Sequence, residues 1–130
     1  MIGPEVEQRL VAAATEARTR ALCQYSGFAV GAAIEDADGK IWSGCNIENS
    51  TFGLTVCAER VAIWKALSEG VRDFRAVAVV TGASEPTPPC GACRQILWQF
   101  ARDVPIVSAT TGGKRKQYRL SEIFPEPFDF

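Results

Sequence analysis

Seven segments of this 130-residue chain alternate between helix-like and strand-like periodicity, and that alternation restricts the fold more than any other feature. Over 4–23, Val6, Leu10, Ala13, Ala14, Ala17, Ala21 and Leu22 recur at three- and four-residue spacing, with Glu7, Arg9 and Arg18 between them. This predicts a first helix, with Pro4 suited to an early helical position. "YSGFAVGAAIED" and "IWSGCNI" flank the turn "DADGK" and read as a hairpin. After the loop "ENSTFGLTV", residues 57–69, "CAERVAIWKALSE", form a second helix that Gly70 can close. Apolar residues almost encircle that helix, which predicts deep burial. "FRAVAVVTG" reads as a buried strand and "ASEPTPP" as a proline-rich loop. "CGACRQILWQFA" reads as a third helix with Ile96, Leu97 and Phe100 on one face, and "VPIVSAT" as a further strand. A short strand over 117–120 and a helical turn over 121–124 complete the pattern. The order α-β-β-α-β-α-β predicts an α/β fold, with one mixed sheet and helices on its faces, and a single domain over 1–130. No repeat, low-complexity stretch or linker interrupts it.

Composition excludes several classes. With 47% apolar and 22% charged residues the chain is globular, and a domain of this length buries a core without disulfide staples. No apolar run approaches the ~18–20 residues that span a bilayer. The opening "MIGPEVEQRL" is acidic where a secretory signal is basic and then apolar, so a cytoplasmic location is expected. The net charge of −1 argues against a nucleic-acid partner. The basic run Lys114-Arg115-Lys116 follows Gly112-Gly113 and reads as a solvated turn.

There are five cysteines and no histidine. An odd number in a chain of this type argues against a disulfide framework and directs attention to metal or redox chemistry. Cys90 and Cys93 stand three apart at a helix start, so both sulfurs can reach one ion. Cys57 stands at another helix start. Three thiolates can hold one Zn²⁺ and leave a fourth position open, as catalytic zinc requires. Helix starts favour anions, and the same field favours the thiolate, which is the ligating form. Cys23 and Cys45 read as small buried hydrophobes.

Glu59 lies two residues beyond Cys57, which in mid-helix points it about 200° away. At the helix mouth, where Cys57 is the last non-helical or first helical residue, Glu59 can sit beside the open position without ligating. That is the place for a proton shuttle. Three thiolates and Zn²⁺ sum to −1, so a cation that withdraws charge from sulfur has a reason to be present. Arg60 is the favoured candidate, and Arg94 is the second. Two other classes remain open at this point. A CxxC at a helix start also occurs in thioredoxin-like redox proteins, and a closed structural zinc site would need a fourth ligand, for which Cys45 is the one candidate.

Taken together, "YSGFAVGAA", "GCNIENSTFG", "CAERVAIWKALSEG" and "PCGACRQ" resemble the small homotetrameric cytidine deaminases of the zinc-dependent deaminase superfamily. The similarity runs from about residue 10 to the C-terminus. The resemblance implies an α/β/α sandwich around a five-stranded mixed sheet. It implies one Zn²⁺ on Cys57, Cys90 and Cys93, with Glu59 as the acid/base group. It implies hydrolytic deamination of cytidine and 2′-deoxycytidine in pyrimidine salvage. Asn46 and Glu48 would bind the ribose 3′-hydroxyl, Phe28 would flank the nucleoside, and Glu59 with the Ala58 backbone would read the pyrimidine edge. A homotetramer with shared active sites is implied too, in which Phe128 of "FPEPF" stacks on a neighbour's base. Phe52 stands where many relatives carry Tyr. Within the superfamily, a deaminase of a modified cytosine nucleoside and a nucleic-acid-editing enzyme are the rivals. "NIEN" argues against the first, and the lack of a basic, aromatic platform argues against the second.

Overall fold

The computed structural model describes residues 1–130. Its elements are α1 (Pro4–Arg18), β1 (Val30–Asp36), β2 (Ile41–Cys45), a 3₁₀ turn (Phe52–Leu54), α2 (Ala58–Ser68), β3 (Phe74–Thr81), α3 (Gly91–Ala101), β4 (Pro105–Thr110), β5 (Arg115–Arg119) and α4 (Leu120–Ile123). The five strands form one sheet in the order β2-β1-β3-β4-β5. Only β3 and β4 run parallel, joined by the crossover helix α3; the other neighbours are antiparallel.

Period-two alternation in the strands divides the core into two layers. On β3, Val77 and Val79 face α2 and α3, where Ala58, Ala62, Ile63 and Leu97 cover them. Ala76, Ala78 and Val80 face the opposite side and pack under Leu10, Val11 and Ala14 of α1. The expected sandwich is therefore present, with α1 alone on one face.

Two glycines set how closely the helices approach. A Cβ on Gly31 of β1 would lie 1.8 Å from the Ala14 carbonyl oxygen of α1. One on Gly44 of β2 would lie 2.7 Å from the Ala62 nitrogen and 2.9 Å from the Ala58 oxygen of α2. The start of α2, which carries Cys57, thus presses directly on β2 beside Asn46.

Several features differ from the sequence reading. Strand β5 begins at Arg115 rather than 117, so Arg115 and Lys116 belong to an edge strand and not to a solvated turn. Helix α1 ends at Arg18 rather than 23, because the Leu22 backbone pairs with the segment around Ile47: Leu22 N–H donates to Asn46 O, and Glu48 N–H donates to Leu22 O. Strand β1 begins at Val30, since 24–26 form a turn and Gly27 has φ +69°, a left-handed value that favours glycine. Helix α2 is buried on one face only. Ala58, Glu59, Ala62, Ile63 and Ala66 point inward, while Trp64 is 42% exposed.

Candidate active site

Cys57 and Cys90 are the N-cap residues of α2 and α3, with extended backbone, and Cys93 follows in the first turn of α3. Helix α3 begins beyond the carboxyl end of β3, the end of a parallel pair at which open α/β sheets place their ligands. The three sulfurs lie within 4.8 Å of one another, and Cys57 Sγ to Cys90 Sγ is 3.8 Å. A tetrahedral zinc with Zn–S bonds of about 2.3 Å separates its sulfurs by about 3.8 Å, so the donor type and spacing fit that ion. No fourth His, Cys, Asp or Glu joins the cluster, and Cys45 stands outside it. The geometry therefore favours an open coordination position over a closed structural site.

Arg60 Nη2 donates to Cys57 Sγ at 3.1 Å, the contact expected from the sequence. Hydrogen bonding from Cys93, reinforced by Arg60, pulls the Cys57 thiol down to about 5 against the effect of burial. The same Cys57 contact, together with burial, pushes the Cys93 thiol up.

Glu59 is 6% exposed in the first turn of α2. Burial pushes its carboxyl up to about 7, and the Cys57 charge adds to the shift. Ala58 is fully buried at the same helix start, where backbone N–H groups lack helical acceptors. Arg94 does not reach a sulfur: Nε donates to Pro89 O at 2.7 Å and Nη1 to Ile123 O at 2.5 Å. It ties the loop before Cys90 to α4, and the expectation that it withdraws charge from the thiolates is corrected accordingly.

A cavity of about 270 Å³ opens from this cluster. Cys57, Ala58, Glu59 and Cys90 line one part of it, and Phe28, Asn46 and Glu48 line another, so one space joins the expected chemical and recognition groups. Asn46 is buried and clamps two strands: its Oδ1 accepts from Val30 N–H at 2.9 Å, and its Nδ2 donates to Phe28 O at 2.8 Å. Glu48 is held by the turn at 25–26. Its Oε1 accepts Tyr25 N–H at 3.0 Å and Ser26 N–H at 3.1 Å, and its Oε2 accepts the Ser26 hydroxyl. The Ser26 bonds hold the Glu48 carboxyl below its usual range.

Phe128 is not among the cavity residues. It is 69% exposed, its carbonyl accepts from Gln95 Nε2 on α3, and Asp129 beside it pairs with Arg102. Reading the sequence missed Ser26, Thr55, Thr81 and Thr87, all of which line the cavity. Ser26 had a visible signal, a Ser-Gly turn immediately before Phe28.

Residues 4–109 match the family model described as the cytidine and deoxycytidylate deaminase zinc-binding region. A cytidine deaminase from Sporosarcina psychrophila is 43% identical over 93% of this chain and 90% of its own. The crystal structure of a cytidine deaminase from Burkholderia pseudomallei superposes with a TM-score of 0.90 at 40% identity, covering 93% of this chain and 98% of that one. A blasticidin-S deaminase from Bacillus cereus is 34% identical over 89% of this chain and 87% of its own.

Proposed function

The chain belongs to the cytidine and deoxycytidylate deaminase family, and on that premise we propose that it hydrolyses cytidine and 2′-deoxycytidine to uridine and 2′-deoxyuridine with release of ammonia, a reaction of pyrimidine salvage. The observation that carries this reading is the pairing, within one cavity, of a three-cysteine cluster and buried Glu59 with Phe28, Asn46 and Glu48.

Cys57, Cys90 and Cys93 would hold Zn²⁺, which supplies Lewis acidity toward water when bound. Glu59 then takes the water's proton and delivers it to ring N3. The C4–O bond forms as N3 takes that proton. A second proton, released by the added hydroxyl, then passes through the same carboxyl to the amine, and the C4–N bond breaks as ammonia leaves and the C4 carbonyl forms. Its burial beside the cluster keeps bulk water from competing for those protons. Arg60 balances the negative charge of the sulfurs. The Ala58 backbone and Glu59 face the pyrimidine edge, Phe28 packs on the nucleoside, and Asn46 with Glu48 holds the ribose 3′-hydroxyl. Fixing both ends of the substrate removes orientational freedom before the chemical step. Glu48 also sets the class of substrate, since its charge repels a phosphate.

The enzyme is read as a single-domain homotetramer acting in the cytoplasm on a free nucleoside, without a nucleic-acid or membrane partner. Leu22, Tyr25, Ile47, Phe52 and Leu54 are all exposed, and Tyr25 packs edge-on against Phe52 with ring centres 5.7 Å apart. An apolar set of this kind supports contact with further copies of the chain. Phe128, outside its own cavity, would stack on a neighbour's base. No helix is long and apolar enough to cross a membrane.

Loss of cytidine absorbance in the ultraviolet tests the activity directly. The zinc-loaded protein should convert cytidine and stop when a chelator strips the metal. Intact, zinc-loaded protein that leaves cytidine unchanged ends this reading. Glu59→Ala should keep its zinc and lose 10²-fold or more in kcat, the scale of a general acid–base contribution.

A further inference from the structure

Phe28, Asn46 and Glu48 lie on separate segments, and one side chain links them. The Ser26 hydroxyl accepts from Phe28 N–H at 3.0 Å, which directs its own single proton to Glu48 Oε2. The Phe28 carbonyl in turn accepts from Asn46 Nδ2 at 2.8 Å. The hydrogen-bonded path therefore runs Glu48, Ser26, Phe28, Asn46, and Ser26 is its only serine.

Counting protons shows what this path leaves over. A carboxylate has about four acceptor positions. Tyr25 N–H and Ser26 N–H occupy the two on Oε1, and the Ser26 hydroxyl occupies one on Oε2. One acceptor position remains on Glu48. Asn46 Nδ2 carries two hydrogens, and Phe28 O takes one, so one donor remains there. One free acceptor and one free donor on the same cavity wall match a hydroxyl group, which both donates and accepts. They do not match an ether, a hydrogen or a phosphate.

We propose that Ser26 is a positioning residue for sugar recognition: its hydroxyl orients the Glu48 carboxylate so that one acceptor position faces the substrate's 3′-hydroxyl. This rests on the reading that Asn46 and Glu48 bind that hydroxyl. Ser26 does not touch the reacting atoms, so its effect is on discrimination among sugars rather than on the chemical step.

The test compares kcat/KM for cytidine and 3′-deoxycytidine, using zinc-loaded wild type, Ser26→Ala, Ser26→Thr and Glu48→Ala. Ser26→Ala should lower the preference for cytidine by about tenfold, mainly through KM, the scale of one hydrogen bond to a charged group. Ser26→Thr, which keeps the hydroxyl, should restore the preference. Glu48→Ala should lower it at least as far, leaving only the share that the Asn46 donor supplies. A generally loosened fold would lower both substrates alike and leave the ratio unchanged. If Glu48→Ala lowers the preference while Ser26→Ala keeps it, Ser26 has no positioning role and the ribose reading stands. If Glu48→Ala keeps the preference, the ribose reading itself fails and the role of Ser26 goes with it. Should Ser26→Ala not fold, Ser26→Cys, with a weak donor in place of the hydroxyl, is read the same way.

Discussion

The two ends of the cavity are built differently. The cysteine end stands on the first turns of two helices packed into the core. Cys93 is fully buried and Glu59 is 6% exposed. The sugar end is assembled from the turn at 24–26 and the segment after β2, where Ser26 is solvent-exposed, Glu48 half-buried and Asn46 buried. At the first end, packing and helix geometry fix the groups. At the second, side-chain hydrogen bonds to backbone do so. A site of this kind can therefore keep its chemistry while its recognition drifts, because the two depend on different forces. Variants at the first end should act on metal content and kcat, and variants at the second on KM.

Cys93→Ala should have the largest effect. It removes a ligand from the core side of the cluster, and with it much of the metal's contribution, which in thiolate-rich sites reaches about 10 kcal/mol or more. Metal analysis should find little bound zinc, and turnover should fall below detection. A variant that retains one zinc and measurable turnover would break the contrast at its stronger end.

Asn46→Ala should come next, and it tests how separate the ends are. Asn46 is buried and bonds both Val30 N–H and Phe28 O, so its loss leaves two backbone groups without these partners. A destabilisation of about 1–3 kcal/mol is expected in urea unfolding. KM for cytidine should rise at least tenfold, on the scale of one hydrogen bond. If kcat falls as much as KM rises, Asn46 belongs to the chemical end through Gly44 and the start of α2.

What the sequence disclosed follows the same division. The cysteines, Glu59 and Arg60 were legible because helix periodicity locates helix starts, and a helix start dictates what its first turn can reach. The sheet was legible because its strands are short, apolar and separated by clear turns. Ser26 was not, because a serine before glycine reads as turn chemistry, and its bond to Glu48 spans 22 positions that no local pattern connects. Leu22 was misplaced in α1 for a related reason: it satisfies helical spacing, yet its backbone pairs with Asn46 and Glu48. Trp64 satisfies the apolar pattern of α2 and still lies 42% exposed, because periodicity records which residues are apolar and not which face meets the sheet. Arg94 follows a ligand in sequence, but its guanidinium finds two backbone carbonyls first.

Arg60→Gln should have a smaller effect at the chemical end. The Arg60 guanidinium donates to Cys57 Sγ, and losing it leaves more negative charge on the sulfurs. Zinc should stay bound, while kcat drops about tenfold, at the low end for residues that support metal ligands. The acid limb of the kcat profile should move to higher pH, because a more electron-rich metal acidifies water less. An unchanged limb would mean that Arg60 serves packing alone.

Asp36→Asn should have the smallest effect, and it separates failure of the site from failure of the fold in acid. Asp36 is remote from both ends, at the close of β1, where its carboxylate accepts Trp42 Nε1–H at 3.0 Å and the backbone N–H groups of Asp38 and Lys40. The Trp42 bond is the largest cause holding its carboxyl below the ordinary 3.8. A carboxyl depressed by folding adds stability that is complete above its unfolded value and is lost as pH falls through its folded value. Its contribution is therefore intact at pH 6 and begins to fade only below about pH 4. In urea unfolding, the stability difference between wild type and Asp36→Asn should be constant between pH 6 and 5 and should shrink below pH 4. Comparing the two proteins at each pH cancels the protonation of the cysteines, which both share. If activity in acid is lost well above pH 4 while this difference holds, the cysteine end has failed before the hairpin. If the difference already narrows at pH 5, the hairpin carboxylate is not held as the Trp42 contact requires.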